Sequence, residues 1–557
     1  MYDDDQFHPP ESDEENNTSG RRRGFSKWIW FVLGLFAIVI VAVVFAATAA
    51  FLSRDAGRQV ASEASGVPAG ASEETLEEVA GPLTDEPLRV DPAEAGGPVT
   101  QTPSEESSSE PEQPPATPTA EPPVEPTAEP TAAPTATEPV TPEASPEPIS
   151  GRIAVVDNRA RLWTFASDGS DRRLLSGPGR FYQFPSWSPA GNEIAVIGND
   201  SEAGGVYVVA DEDDGEIRQL YADSTFQPIY LYWSPEGQNV SFIANHPGGL
   251  ALHMAPGDGG LAPQLVATSP GTFFWDWMPD GSQVLVHTGF TARSSDNSRL
   301  AFVPLNDDGE PEEIMQRGFF QAPAVAADGR YFSYGNEDAS GNRWLSIHDR
   351  DSDQQVEVVS HQGVLAMGFS PTRPQLAFTS PGRPAQSFFG ALRLIDLESR
   401  ETRMLEPEPV LAFFWSPDGL SIAYLTLSTI DKLFDFDDAP VAESIDLPAK
   451  KGALGKALPT LQDDDPRFGL AVTVVDVESG ESRLLTVFEP STVFLNQFLP
   501  FFDQYAHSHR LWSPDSQALV LPMKNEQDRS FIVVVPADGS DPQPIAPGVA
   551  AFWSQHR

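Results

Sequence analysis

Three textures of hydrophobic and polar positions follow one another along the chain. From Trp28 to Leu52 it reads WIWFVLGLFAIVIVAVVFAATAAFL, without one charged position. At 1.5 Å per residue such a run crosses a hydrocarbon core of about 30 Å as a tilted helix. A cleaved signal peptide would carry a shorter apolar stretch nearer the start, so the pattern predicts a retained anchor. From Asp55 to Pro148 apolar positions are sparse, aromatics are absent, and Pro, Glu, Thr, Ala and Ser dominate. That stretch buries too little apolar area to offset the entropy of folding, and its spaced prolines favour an extended spacer. Beyond Ser150 the pattern becomes short apolar runs separated by turn residues, the mark of consecutive β-strands.

The strand region repeats. Trp187-Ser188-Pro189, Trp233-Ser234-Pro235, Phe369-Ser370-Pro371, Trp415-Ser416-Pro417 and Trp512-Ser513-Pro514 share an aromatic-Ser-Pro signature. Trp277-Met278-Pro279 is a variant, and Ala326-Ala327-Asp328-Gly329 keeps only the turn. Proline presets the first corner of a tight turn and Asp-Gly tolerates the second, as in Pro279-Asp280-Gly281 and Pro417-Asp418-Gly419. Each signature ends one strand and precedes three more; after Trp187 these are IAVI, VYVV and IRQL. Four short antiparallel strands per repeat make one blade of a β-propeller.

The ends of the region complement each other. It opens at Ile153 with the second, third and fourth strands of a blade, and closes at VAAFWS, from Val549, with a first strand. Pairing the two would close a ring. The predicted fold is therefore all-β, an eight-bladed propeller, or seven blades if the degenerate repeat near Val325 is misread. The predicted layout is a cytoplasmic acidic tail at 1–27, a transmembrane helix at 28–52, a spacer at 53–150 and a propeller at 151–557, with an insertion at 428–468.

The signature and its following strands resemble the WD40-like repeat of TolB-type propellers. They are also similar to the propeller that precedes the peptidase domain in dipeptidyl peptidase IV relatives. The resemblance covers about Gly151 to Arg557 and implies a fold more than an activity. The chain departs from the pattern at Ser516, where Gly is usual, and at Thr372-Arg373, which replaces Asp-Gly.

Charge and chemistry narrow the function. Lys and Arg total 35 against 81 Asp and Glu, a net charge of −46, which repels nucleic acid. With no cysteine, disulfides, thiolate metal sites and cysteine nucleophiles are excluded. Arg21, Arg22, Arg23 and Lys27 before the apolar run outweigh Arg54 and Arg58 after it, which predicts a cytoplasmic N-terminus and an extracytoplasmic propeller. No G-x-S-x-G elbow occurs, and no catalytic residue, cofactor or metal is assigned. His507-Ser508-His509 with Asp503 nearby is too small a set to stand as a metal site.

The expected role is a binding module for a protein or cell-surface ligand, held by its membrane segment, with no nucleic acid partner. A hydrolase-associated or metal-dependent propeller enzyme, or a transmembrane sensor, is the alternative. Strand order places the short turns on one face and the long loops on the other, so the long-loop face is the expected recognition surface. Two segments there are candidates. The 428–468 insertion holds Lys432, Lys450, Lys451 and Lys456, four of the chain's six lysines, either a basic contact or a solvated loop. The connection from Phe488 to Arg510 carries Phe494, Phe498, Phe501, Phe502 and Tyr505, either an apolar contact patch or packing over the rim.

Overall fold

The computed structural model describes residues 149–556, apart from 178, 290–298, 306–308, 316–320, 339, 362–364, 381–389, 431–432 and 434–466. The expected tail, membrane helix and nearly all of the spacer lie outside the described residues, as do Lys432, Lys450, Lys451 and Lys456. Among the described residues, no helix is long and apolar enough to cross a membrane.

The described part is built from antiparallel sheets, mostly four-stranded. A representative sheet runs Phe181–Trp187, Glu193–Asn199, Gly204–Ala210 and Ile217–Asp223, each strand hydrogen-bonded to the next in sequence. Its middle strands are buried on both faces, because a neighbouring sheet covers each side; hence IAVI and VYVV are continuous rather than alternating apolar runs.

The sheets form a ring of the β-propeller kind. The last strand, Ala550–Trp553, pairs antiparallel with Arg152–Val156, with Ile153 opposite Trp553 and Ala154 opposite Phe552. The two incomplete ends thus make one sheet, as the sequence predicts. Elsewhere the boundary between sheets is continuous: Thr402–Trp415 pairs through its first half with Gly390–Asp396 and through its second with Ser421–Ile430.

Two devices repeat between sheets. The signature serine is buried and ties its turn: Ser234 Oγ accepts the Asn239 N–H at 3.0 Å, and Ser513 Oγ accepts the Ala518 N–H at 2.9 Å. The signature tryptophan then reaches sideways. The indole N–H donates to the Phe552 carbonyl from Trp187 (3.1 Å) and to the Ser186 carbonyl from Trp233 (3.0 Å). Trp415 reaches the Gly368 carbonyl and Trp512 the Phe414 carbonyl, both at 3.0 Å. Each acceptor is the residue just before the equivalent aromatic of the preceding sheet. The aromatic is therefore a stitch between neighbours as well as packing.

The degenerate repeat keeps a two-residue first strand, Ala324–Val325. With no tryptophan there, it is held by the preceding sheet, whose Asp276 Oδ2 accepts the Val325 N–H at 2.8 Å. The expected insertion is shorter than 428–468: Ile430 pairs with Arg467 and Thr429 with Phe468, so both ends belong to the hairpin.

Candidate functional site

The connection after Phe488 is where sequence and structure part. Instead of a loop over the rim, it coils as a wide π-type turn at Phe494–Phe498, a 3₁₀ turn at Leu499–Phe501 and one α-turn at Phe502–Tyr505. Phe494, Phe498, Phe502 and Tyr505 are buried, and of the five aromatic candidates only Phe501 is exposed, at 43%. The expectation of an apolar contact patch is corrected on this point: four of its residues face inward.

Their partners locate the segment. Tyr505 packs on Phe184 and Tyr230, Phe502 on Phe413 and Phe414, and Phe498 on Phe552. These rings sit on the first strands of different sheets. One short stretch of chain touching so many first strands must lie where they converge, on the ring axis. Burying these aromatics there removes several hundred Å² of apolar surface from water, at roughly 25 cal/mol per Å².

Polar contacts hold the plug in register. Gln504 Oε1 accepts the Trp275 N–H at 3.0 Å and Gln504 Nε2 donates to the Trp275 carbonyl at 2.9 Å. Tyr230 Oη lies 2.6 Å from Ser508 Oγ, and Ser508 Oγ lies 2.5 Å from His509 Nδ1. Phe184, in the left-handed region at φ 55° inside a bulge, turns its ring toward Tyr505 and His509.

Ionisable groups gather at the end of the axis where the signature turns lie. Asp276 is buried; its Oδ1 accepts the Trp277 N–H at 2.9 Å and stands 3.4 Å from His507 Nδ1. Burial raises the Asp276 carboxyl above its ordinary value, and His507 opposes that shift. Burial likewise raises Asp503, against the pull of the Gln504 N–H. His509, enclosed by aromatic rings, is pushed down to about 3 by desolvation and stays neutral. Burial lowers Arg510 as well. Among the described residues no group of three His, Asp or Glu side chains could hold a metal ion. The acidic turn at Asp211 is an ordinary hairpin end whose first carboxylate binds Arg152 and Arg173.

Two cavities flank the plug. One, of about 230 Å³, opens at the turn end between Asp503, His507, Arg510 and the aromatic ends of first strands, with Pro371 and Pro417 at its mouth. The other, of about 220 Å³, opens at the long-loop end between Phe181, Phe184, Asn199, Gln497 and Phe498. Phe181 stands at its lip, 62% exposed. Asp276 and Gln504 escape sequence reasoning because their partners, His507 and Trp275, lie more than two hundred residues away, and Arg510 because its partner Gln555 sits in the closing strand region. The helical spacing of Phe494, Phe498, Phe502 and Tyr505 was the one available signal.

No known family matches the chain by sequence, and neither does any curated protein. Among solved structures it is similar to TolB from Acinetobacter baumannii, at 16% identity and a TM-score of 0.31, over 47% of this chain and 65% of that one. An oligogalacturonate lyase in complex with manganese aligns at 12% identity and a TM-score of 0.40, over 66% and 85% of the two chains. The dihydro-heme d1 dehydrogenase NirN aligns at 13% and 0.45, over 74% and 77%. The solved structures that it resembles include TolB and other propeller proteins.

Proposed function

We propose that this chain displays an eight-bladed propeller outside the cytoplasm, tethered by the apolar run at 28–52 and the Pro-rich spacer at 53–150. Its role is recognition of a protein or cell-surface ligand at the long-loop face, with no reaction of its own. The count of eight takes the continuous sheet through Thr402–Trp415 as two blades and adds Leu511-Trp512 as the first strand of the last, since Trp512 bridges to Leu519.

The observation that carries this reading is the filled axis. The concave centre of the ring, the natural place for a ligand, is taken by the chain's own residues, and what remains at the loop end is an apolar cavity with amide groups and an exposed Phe181 at its lip. The chain also enters the propeller at the other face: the Ser150 N–H donates to Asp515 Oδ2, in the Ser513–Ser516 turn, at 2.7 Å. A tether attached there leaves the loop face free at the point of attachment. Ser508 is buried and its hydroxyl is tied between Tyr230 Oη and His509 Nδ1, which favours a structural role over a nucleophilic one.

The test uses the full chain in its own membrane, with a photo-crosslinking residue at Phe181 on the loop face or at Leu420, which is 43% exposed on the turn face. Discrete adducts from the Phe181 position and none from Leu420 are expected. Equal adducts from both, or none from Phe181, would remove the loop face as the recognition surface. Protease added to intact cells should digest the propeller and spare an N-terminal tag; the reverse outcome would overturn the orientation.

A further inference from the structure

The cavity at the turn end holds two opposite charges that do not meet. Arg510 lines it with no carboxylate within 4.0 Å among the described residues; its NH2 nitrogen reaches only the Gln555 side-chain oxygen, at 3.4 Å. Asp503 lines the same cavity, accepts the Gln504 N–H at 3.0 Å and a hydrogen bond from the Ala322 backbone, and lies within the influence of His507, with no Lys or Arg nitrogen within 4.0 Å among the described residues. Between them His507 faces Asp276 through Nδ1, while its Nε2 is buried without a partner among the described residues. Both side chains are half-buried and face the cavity, where each still lacks a full countercharge.

A ligand that carries both countercharges resolves this arrangement. A lone cation would answer Asp503 and leave Arg510 opposing it; a lone anion would do the reverse. The rest of the wall is apolar, with Met367, Phe369, Phe413, Trp415 and Trp512. At about 230 Å³ the space lies just below the ~300–1,000 Å³ of sites for drug-sized molecules, which suits a smaller one.

We propose that this cavity binds a small zwitterion of the α-amino acid class with an apolar side chain. The carboxylate lies on Arg510, the ammonium on Asp503, and the side chain against the aromatic wall. Arg510 suits the carboxylate because its planar fork can bind both oxygens. The site is separate from the loop face and does not depend on the recognition role proposed there.

The experiment titrates the full chain in detergent with L-phenylalanine, phenethylamine and 3-phenylpropionate, read by tryptophan fluorescence, to which Trp415 and Trp512 at the wall contribute. Phenylalanine should bind at least about tenfold tighter than either analogue, each of which lacks one charged group. Arg510→Gln should bring phenylalanine down to the level of phenethylamine and leave phenethylamine unchanged, with Arg510→Lys in between. Asp503→Asn should mirror this for 3-phenylpropionate. No saturable binding at millimolar phenylalanine, or equal binding of all three ligands, would overturn the proposal. So would a uniform loss across ligands in folded Arg510→Gln. The ligand comparison on the unmodified chain decides the matter even if a variant fails to fold.

Discussion

Gln504 pairs with Trp275 as a strand would: its side-chain amide takes both the N–H and the carbonyl of one residue on a first strand, at 3.0 and 2.9 Å. The inward edge of a first strand has no neighbour in its own sheet, so its backbone groups need another partner or water. Here the plug supplies the partner, and water has no place, since Gln504 is 2% exposed.

Replacing Gln504 by Leu keeps the volume but strands the buried Trp275 N–H, while the Trp275 carbonyl keeps the Tyr232 hydroxyl at 3.1 Å. A loss of roughly 1–3 kcal/mol is expected for that one unsatisfied group. The check is a urea unfolding midpoint on the full chain, with tryptophan fluorescence as the probe. A loss below about 0.5 kcal/mol would mean that the amide is not what anchors the plug.

The tryptophan stitches give a comparison within one molecule. Trp233 donates to the buried Ser186 carbonyl, so Trp233→Phe should cost about 1–3 kcal/mol beyond the lost ring area. Trp553, at the ring closure, has a buried indole N–H without a partner among the described residues. Trp553→Phe removes an unsatisfied donor and should be the milder substitution. Equal destabilisation of both in parallel melts would show that ring volume, and not the hydrogen bond, holds neighbouring sheets together.

Ser516 stands where glycine is usual and adopts φ 62°, beside glycines such as Gly237 and Gly419 at 72° and 69° in the same turn position. The left-handed conformation costs an L-residue with a Cβ roughly 1–2 kcal/mol. Part of this is offset by Ser516 Oγ, which accepts the Asp418 N–H at 3.2 Å. Ser516→Gly should therefore stabilise the protein by about 0.5–1 kcal/mol, seen as a higher melting temperature. A lower one would mean that the hydroxyl contact outweighs the strain.

Acid should loosen the plug. His509 is lowered from 6.5 to about 3 by burial, so the unfolded chain binds a proton that the folded one refuses. Its contribution is intact above pH 6.5 and is withdrawn as pH falls toward 3, by roughly 2–3 kcal/mol between pH 6.5 and 4.5. His287, lowered to about 4 by burial, acts in the same sense. Asp276 and Asp503, raised by burial, act oppositely: the folded state takes up their protons first as pH falls. His509→Phe should thus flatten the melting temperature between pH 6.5 and 4.5 relative to the parent. An unchanged slope would exclude His509 as its source.

The repeat and the closing of the ring were legible in the residues because both are local. An aromatic-Ser-Pro turn and the three strands after it are neighbours in sequence, and a first strand at one end matched against three at the other leaves one way to complete the sheet. The plug was not legible in this way. Phe494, Phe498, Phe502 and Tyr505 display a buried face, but its partners, Phe552, Phe413, Phe414 and Tyr230, are brought together only when the sheets converge on one axis. The same holds for Asp276 and His507, far apart along the chain and 3.4 Å apart in space. Short-range order follows from pattern and turn chemistry; which distant edges a coil meets is decided by the closed ring, whose geometry no single stretch of sequence contains.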